Sequence, residues 1–294
     1  MKAIQTGFGV SWVRATGTLY PKEKRLFEDP YSEKMLSPFL KFFIFLQRSP
    51  KINDAIVRSK EKSTPGIMGW LFCRFRYIDD VLKDSIAKKE IETVVNLGAG
   101  MDCRAYYIPG IESIRYFEVD HPSVIKQKKA KMEKILGKLP DHVIFVPVDF
   151  EKQSLDTELK KAGYNLTSKT LFISEGVTQY ISKEANDSIL KYVAQAAPGS
   201  KIVFTYIILS FIEGKNIHDG IKVMYKYMRK KDNPLWIFGL DPSDMENYLS
   251  KYSLSLIEDI GSEEMEERYM KLVDLDLSVF EIERMALAEV KRGK

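Results

Sequence analysis

Cysteine and histidine are scarce in this chain, and their scarcity excludes chemistry. The two cysteines, Cys73 and Cys103, sit in apolar or turn settings. They make no disulfide framework, which fits a reducing compartment and a cytoplasmic location. Three histidines in 294 residues, with no Cys/His ligand spacing, offer no metal site, and no metal is expected. No Ser-His-Asp or Cys-His order points to covalent catalysis. Long hydrophobic runs are missing as well. Residues 39–46 are apolar but few and broken by Lys41, and residues 202–212 are too few to span a bilayer. Residues 36–46 therefore read as a helix buried under a cap, with a membrane-facing amphipathic helix as the alternative. The N-terminus shows no apolar h-region, so no secretory signal is read there. A strong charge of one sign is also absent: 45 basic residues face 41 acidic ones, a formal +4. That balance demands no nucleic acid. The lysines of residues 126–134 and 226–231 alternate with apolar residues and read as solvated helix faces. No repeat or low-complexity segment is visible.

What is present is organised around residues 93–104. Thr93, Val94, Val95, Asn96 and Leu97 read as a short buried strand. Gly98 and Gly100 then remove Cβ atoms at a tight turn, so a ligand can lie against bare peptide. About twenty residues on, a second apolar strand ends in Asp120. A glycine turn after one strand and an acid at the tip of the next is the nucleoside-binding arrangement of a doubly wound α/β sheet. A dinucleotide fingerprint would carry a third small residue, and Cys103 stands in that place. Asp102 beside the turn would repel a pyrophosphate and suits a ligand with a positive centre. S-adenosylmethionine is such a ligand. An NAD-dependent oxidoreductase is the alternative, and a catalytically silent cofactor-binding module a second one.

The chain reads as one domain over residues 1–294. Residues 1–90 form a helical N-terminal cap region, with Asp29-Pro30-Tyr31-Ser32 as a helix start with proline in the first turn and residues 68–87 as one amphipathic helix. Residues 93–207 form a cofactor-binding core in which strands (93–97, 113–119, 143–148, 170–174, 201–207) alternate with helices (102–107, 122–136, 155–162, 183–197). That alternation predicts a parallel sheet with right-handed crossovers. Residues 208–238 are a candidate lid, helical over 214–232. Residues 239–294 supply a helix at 242–252 and strands at 253–260 and 277–290, the last alternating as an antiparallel edge would.

Four of the core strand ends carry polar groups: Asn96 with its glycine turn, Asp120, Asp149 and Glu175. Ligands of open α/β sheets bind beyond the carboxyl ends of the strands. Singly, each acid also reads as a helix or turn cap. Four in register favour a site.

Residues 93–105 (TVVNLGAGMDCRA), 116–122 (YFEVDHP), 146–150 (VPVDF) and 172–180 (FISEGVTQY) resemble the leucine carboxyl methyltransferase family. So do residues 6–14 (TGFGVSWVR), 29–34 (DPYSEK), 74–80 (RFRYIDD), 238–242 (FGLDP) and 283–286 (ERMA). The resemblance implies an S-adenosylmethionine-dependent O-methyltransferase on a Rossmann-like, mostly parallel seven-stranded sheet. It implies that Gly98 backs the methionine part of the cofactor and Asp120 holds the ribose hydroxyls. Asp149 and Phe150 would flank the adenine, and Glu175 would lie near the methionine ammonium. Arg74 would clamp the methionine carboxylate, with Arg76 as the alternative. For either arginine, a solvated helix face paired with Asp79 or Asp80 is the competing reading.

Methyl transfer from a sulfonium is an in-line displacement that needs a nucleophile held in line with the leaving sulfur. A carboxylate is ionised at neutral pH and needs no base, whereas a hydroxyl usually does. His121 reads as turn support and His142 as structural, leaving His218 in the candidate lid. A small-molecule or peptide carboxylate is therefore the expected acceptor. Its pocket is expected between the N-terminal helices and the lid, with Tyr180, Tyr206, Phe211 and Tyr225 as candidate lining residues or cap core.

Overall fold

The computed structural model describes residues 2–230 and 232–291, with the side chains of residues 2–8 outside the description. The Thr6–Phe8 part of the first motif therefore lies outside the described side chains. Five helices come first: α1 (Lys2–Thr18), α2 (Ser32–Met35), α3 (Pro38–Gln47), α4 (Pro50–Ser63) and α5 (Ile67–Ala87). The core then runs β1 (Thr93–Leu97), β2 (Arg115–Asp120), α6 (Pro122–Leu136), β3 (Val143–Pro147), α7 (Leu155–Lys161), β4 (Thr170–Ser174), α8 (Lys183–Val193) and β5 (Lys201–Ile207). Beyond it lie α9 (Leu209–Ile212), α10 (Asp219–Met228), α11 (Met245–Ser250), β6 (Leu254–Ile260), α12 (Ser262–Arg268) and β7 (Glu283–Val290).

The seven strands form one sheet in the order β3-β2-β1-β4-β5-β7-β6. β1 to β5 are parallel and β7 runs antiparallel between β5 and β6. β1 and β4 are buried along their whole length, as continuous apolar runs in the middle of a covered parallel sheet must be. One core packs α5 and the N-terminal helices on one sheet face, around Trp70, Phe72, Phe75, Ile78 and Val94. The other packs α7, α8 and α11 on the opposite face, around Val95, Phe117, Leu159 and Leu190. Chain reversal between β1 and β4 sets the carboxyl ends of the strands at a topological switch point.

Several expectations need correction. The strand expected over 277–290 pairs only from Glu283. The residues before it lie instead along the start of α5, where a Cβ on Gly69 would stand 2.1 Å from the Ser278 carbonyl oxygen. In the candidate lid, after the short α9, the helix expected over 214–232 forms over Asp219–Met228, because Asn216 takes a left-handed φ of 57° and His218 caps the helix. The helix expected over 242–252 divides into a 3-10 turn and α11. Pro30 stands before α2 rather than in its first turn, and the Asp29 carboxylate accepts from the Tyr31 and Ser32 amides, both at 2.9 Å. Finally, α3 is not buried under a cap: Phe39, Phe42, Phe43, Phe45 and Leu46 are exposed.

Candidate active site

The glycine turn is held open from both sides. Gly98 and Gly100 have φ of 72° and 46°, which L side chains rarely adopt. A Cβ on Gly98 would stand 2.2 Å from Val177 Cγ2, so the loop after β4 packs against bare backbone. The amides of Gly98 and Ala99 donate to the Val119 carbonyl at 2.7 and 3.0 Å. The Gly100 amide donates to Asp120 Oδ2 at 2.7 Å, and the His121 amide to Oδ1 at 2.6 Å. Burial raises the Asp120 carboxyl pKa against these two donors. A carboxylate offers about four lone-pair sites, so two remain for a ligand.

The other strand ends meet the same rim. The Val148 amide donates to the Asp120 carbonyl at 2.8 Å, which places Asp149 and Phe150 just past the tip of β2. Asp149 accepts from the Glu151 amide at 3.1 Å and pairs with Lys152 at 3.2 Å, so it also caps its own turn. Burial opposes its ionisation, but the Lys152 hydrogen bond and the Glu151 amide leave its pKa lowered. Phe150 is half-buried against the core on the α7 and α8 face. At the end of β4, Arg74 Nε donates to Glu175 Oε1 at 3.0 Å and Arg104 Nη1 to Oε2 at 2.6 Å.

Arg74 and Arg76 part company here. Arg74 is buried and reaches Glu175, while its Nη1 donates to both oxygens of Glu283 at 3.0 and 3.1 Å. Trp70 Nε1 fixes Glu283 from behind at 2.7 Å. Arg76 turns away to Asp80 at 2.8 Å and to the Leu26 carbonyl at 3.0 Å. A Cβ at position 176 would stand 3.9 Å from Arg74 Nη2, so Gly176 leaves that edge of the guanidinium bare.

Sequence reasoning missed the centre of this network, Arg104. Its side chain is fully buried and pairs with Asp79 at 2.6 Å, Asp102 at 2.8 Å and Glu175 at 2.6 Å. Arg14 adds Asp29 at 2.8 Å and the Tyr107 hydroxyl. Three guanidiniums (Arg14, Arg74, Arg104) thus face five carboxylates (Asp29, Asp79, Asp102, Glu175, Glu283), two acids more than bases. Asp102 does not present a free charge to a ligand as expected; it accepts from Asn96 Nδ2 at 2.9 Å as well as from Arg104. Burial opposes its ionisation, but Arg104 and then Arg14 hold its carboxyl well below the usual range. Glu175 is also lowered, burial again being outweighed by Arg104 and Arg74.

A second buried pair supports the turn. Lys128 Nζ donates to the Ala99 carbonyl at 3.2 Å and pairs with Glu118 at 2.9 Å. Burial pushes the Glu118 carboxyl up to about 7. The folded state therefore holds this proton to higher pH than the unfolded chain does. That contribution to stability is present below the unfolded pKa of 4.5 and is lost as pH rises to about 7. Glu118→Gln cannot titrate there. Wild type is expected to lose ground to this variant between those pH values, on the order of 2 kcal/mol, in paired urea titrations. A constant difference across the range would rule the titration out.

The histidines and lid aromatics fall into place around the rim. His121 Nδ1 meets Ser123 Oγ at 2.7 Å at the start of α6, and His142 Nε2 meets the Ala105 carbonyl at 2.9 Å. His218 contacts Glu281 beside a cavity of about 250 Å³ lined by Ser210, Phe211, Lys215 and Ile221. Tyr206 is buried with its hydroxyl on Asp259 at 2.6 Å, so it does not line an acceptor pocket. Phe211 packs edge-on to Tyr225 and against Trp236, as cap core. Among the described residues, no group of three His, Cys, Asp or Glu is arranged to hold a metal ion.

The sequence profile described as Leucine carboxyl methyltransferase matches residues 7–194. YktD of Bacillus subtilis, named for S-adenosyl-L-methionine-dependent methyltransferase activity, is 29% identical over 239 residues, covering 80% of this chain and 76% of its own. A Mycobacterium avium protein named for the same activity is 26% identical over 208 residues, covering 70% and 68%. Among solved structures, one described as a methyltransferase from Thermobifida fusca aligns with a TM-score of 0.55 at 16% identity, over 82% of this chain and 89% of that one. A DUF574 family protein from Streptomyces avermitilis aligns at 0.56 and 14% identity, over 82% and 91%. These two share the fold.

Proposed function

Because the chain belongs to the leucine carboxyl methyltransferase family, and so to the S-adenosylmethionine-dependent methyltransferases, we propose that it methylates a carboxylate oxygen of a small molecule or peptide C-terminus. Family membership also displaces the NAD-dependent oxidoreductase reading. The observation that supports the donor is the buried excess of two carboxylates around Arg74 and Arg104, beside the glycine turn, and the acceptor rests on the inventory of bases below. A cationic donor neutralises that excess, whereas a pyrophosphate would be repelled by it.

The residues at the rim fit such a donor. Asp120 keeps two acceptor sites for ribose hydroxyls after its two amide bonds. Gly100 offers peptide without a Cβ atom, while the Cβ side of Gly98 is filled by Val177 and leaves only its other face to the donor. Asp149 and Phe150, just past the tip of β2, would flank the adenine, with Asp149 accepting from its amino group. Arg74 would take the methionine carboxylate on the edge beside Gly176, and Glu175 the ammonium. When bound, S-adenosylmethionine supplies a methyl group activated by its sulfonium. The chain's part is to orient it, exclude water and bring the acceptor oxygen in line.

The inventory of bases supports a carboxylate acceptor. Two of the three histidines are engaged at turns and the third caps α10, and an ionised carboxylate needs no proton removed. One observation favours a hydroxyl acceptor as the second reading: His218 borders the cavity beyond β5, and would serve there as a general base if its ring left the Gly220 amide that it caps. Transfer of labelled methyl to panels of carboxylates and phenols tests both. Label on phenols alone, lost in His218→Ala, would overturn the carboxylate proposal, and no transfer to any acceptor would favour a silent module.

Asp120→Ala is expected to weaken donor binding by about 1–3 kcal/mol, roughly 5- to 150-fold, because ribose hydroxyls and the Gly100 amide lose their acceptor. Calorimetry on the folded variant checks this. Unchanged affinity would remove Asp120 from the site.

A further inference from the structure

Helix α3 is fixed to the protein by one narrow stripe. Leu40 and Ile44 pack on Trp12, Ala15, Leu19 and Leu36, and Gln47 Oε1 accepts from Thr16 Oγ1 at 3.2 Å. The rest of the helix surface faces outward, and it is aromatic: Phe39 is 68% exposed, Phe42 58% and Phe45 61%, with Phe43 and Leu46 beside them. Ile52 at the start of α4 extends the patch. Contiguous apolar surface of this kind marks an interaction face.

The charges within the patch are basic, with Glu33 and Asp54 at its two ends. From Lys34 to Asn53 the chain carries Lys34, Lys41, Arg48 and Lys51 and no acidic residue. Arg48 leans over the Phe45 ring at 5.9 Å while holding Glu33 at 3.1 Å. α6 adds more cations on the neighbouring side: Lys131 Nζ donates to the Met35 carbonyl at 2.7 Å. Its ammonium is pushed down by burial and then by Lys41 and Lys134, so the three lie within electrostatic reach of each other. Of the lysines expected to form a solvated face over residues 126–134, Lys131 and Lys134 thus border an aromatic one, whereas Lys128 is buried on Glu118.

This combination selects the occupant. A second copy of the chain would bring four cations against their own kind, at a cost in repulsion. A surface of phosphates over hydrocarbon complements both features at once. α3 spans about 15 Å and cannot cross a bilayer, and no described helix is long and apolar enough to do so. Lying in the plane of the interface is the geometry left to it.

We propose that α3 docks the protein peripherally on an anionic phospholipid surface, with Phe39, Phe42 and Phe45 at the acyl boundary and Lys34, Lys41 and Lys51 on the headgroup phosphates. The contact would place the N-terminal helices against the membrane, which suits an acceptor carried by or dissolved in lipid. The docking itself does not depend on the acceptor class.

Co-sedimentation of the full chain with vesicles tests this. Vesicles of equal phosphatidylcholine and phosphatidylglycerol are expected to bind at least about tenfold more tightly than phosphatidylcholine alone, and less so as salt rises. The double substitution Phe42→Ser and Phe45→Ser is expected to lower that affinity about tenfold or more, with circular dichroism and donor affinity unchanged. Lys41→Glu with Lys51→Glu is expected to erase the preference for the anionic vesicles. Failure of the wild type to bind mixed vesicles, or binding indifferent to both substitution pairs, overturns the proposal. Lipid-free dimerisation that disappears with the phenylalanine substitutions would overturn it in favour of a self-interface.

Discussion

Arg104→Met is expected to cost the fold about 3–5 kcal/mol, a fall in melting temperature on the order of 10 °C. Methionine fills much of the same space, so the loss comes from charge rather than a cavity. Arg104 is fully buried and is the shared partner of Asp79, Asp102 and Glu175. It also donates to the Phe75 carbonyl at 3.3 Å, tying α5 to the segment after β1. Without it, Asp79 keeps the more distant Arg14 at 3.9 Å and the Tyr107 hydroxyl at 3.5 Å, and Asp102 keeps the Asn96 side-chain amide and the backbone amide of residue 104. Burial already raises the Asp79 carboxyl against its arginine partners, so removing the nearer one leaves it the group most opposed to ionisation. The pH dependence separates this cause from loss of packing. Asp102 and Glu175 are lowered in the folded wild type, so their stabilisation is present above their unfolded pKa values and lost as pH falls through the folded ones. In the variant that depression is gone, and protonation relieves the unpaired acids. The gap between wild type and variant should therefore be widest near neutral pH and narrow on acidification toward about pH 4. A gap that stays constant over that range would mean that packing, not charge, is what Arg104 supplies.

Local chemistry explains how much of this was legible in the sequence. β1, β4 and β5 were read to the residue because each is a β-branched, apolar run ended by glycine, acid or a cap. The N-terminal edge of β7 was not, because Val279, Phe280 and Ile282 are as apolar as a strand yet bury against α5 instead of pairing. α3 was read as buried because a run apolar on nearly every side hides which face is the inner one. Only the stripe of Leu40, Ile44 and Gln47 decides it, and its partners lie on α1 and at Leu19 and Leu36 beyond it. The charge network was invisible for a related reason. Arg104 meets Asp79 across 25 residues and Glu175 across 71, and Arg74 meets Glu283 across 209, distances at which spacing carries no signal. One clue lay in the sequence: Arg14, Asp79, Arg104 and Glu283 all stand inside the segments that carry the family resemblance. Charged residues embedded among apolar ones there needed buried partners, since an unpaired buried charge is too costly to keep.

Glu175→Gln is expected to weaken the donor by about 2–4 kcal/mol, some 30- to 1,000-fold, while leaving the fold standing. Each guanidinium that loses Glu175 keeps another carboxylate: Arg104 retains Asp79 and Asp102, and Arg74 retains Glu283. The network is then four acids against three bases, so half of the excess that favours a cation is gone. The amide also turns a donor toward one of two arginines that were both donating to it, at 3.0 and 2.6 Å, which loosens Arg74 at the edge beside Gly176. Comparing S-adenosylmethionine with S-adenosylhomocysteine locates the lost contact. Both carry the methionine ammonium, but only the donor carries the sulfonium. If Glu175 serves the ammonium, both ligands weaken by the same factor in calorimetry. If its charge acts on the sulfonium, the donor weakens more than the product, and the turnover rate falls beyond the loss of affinity. Unchanged binding of both ligands to a folded variant would leave Glu175 as a structural tie between α5 and the glycine turn, and the buried negative excess would no longer account for donor recognition.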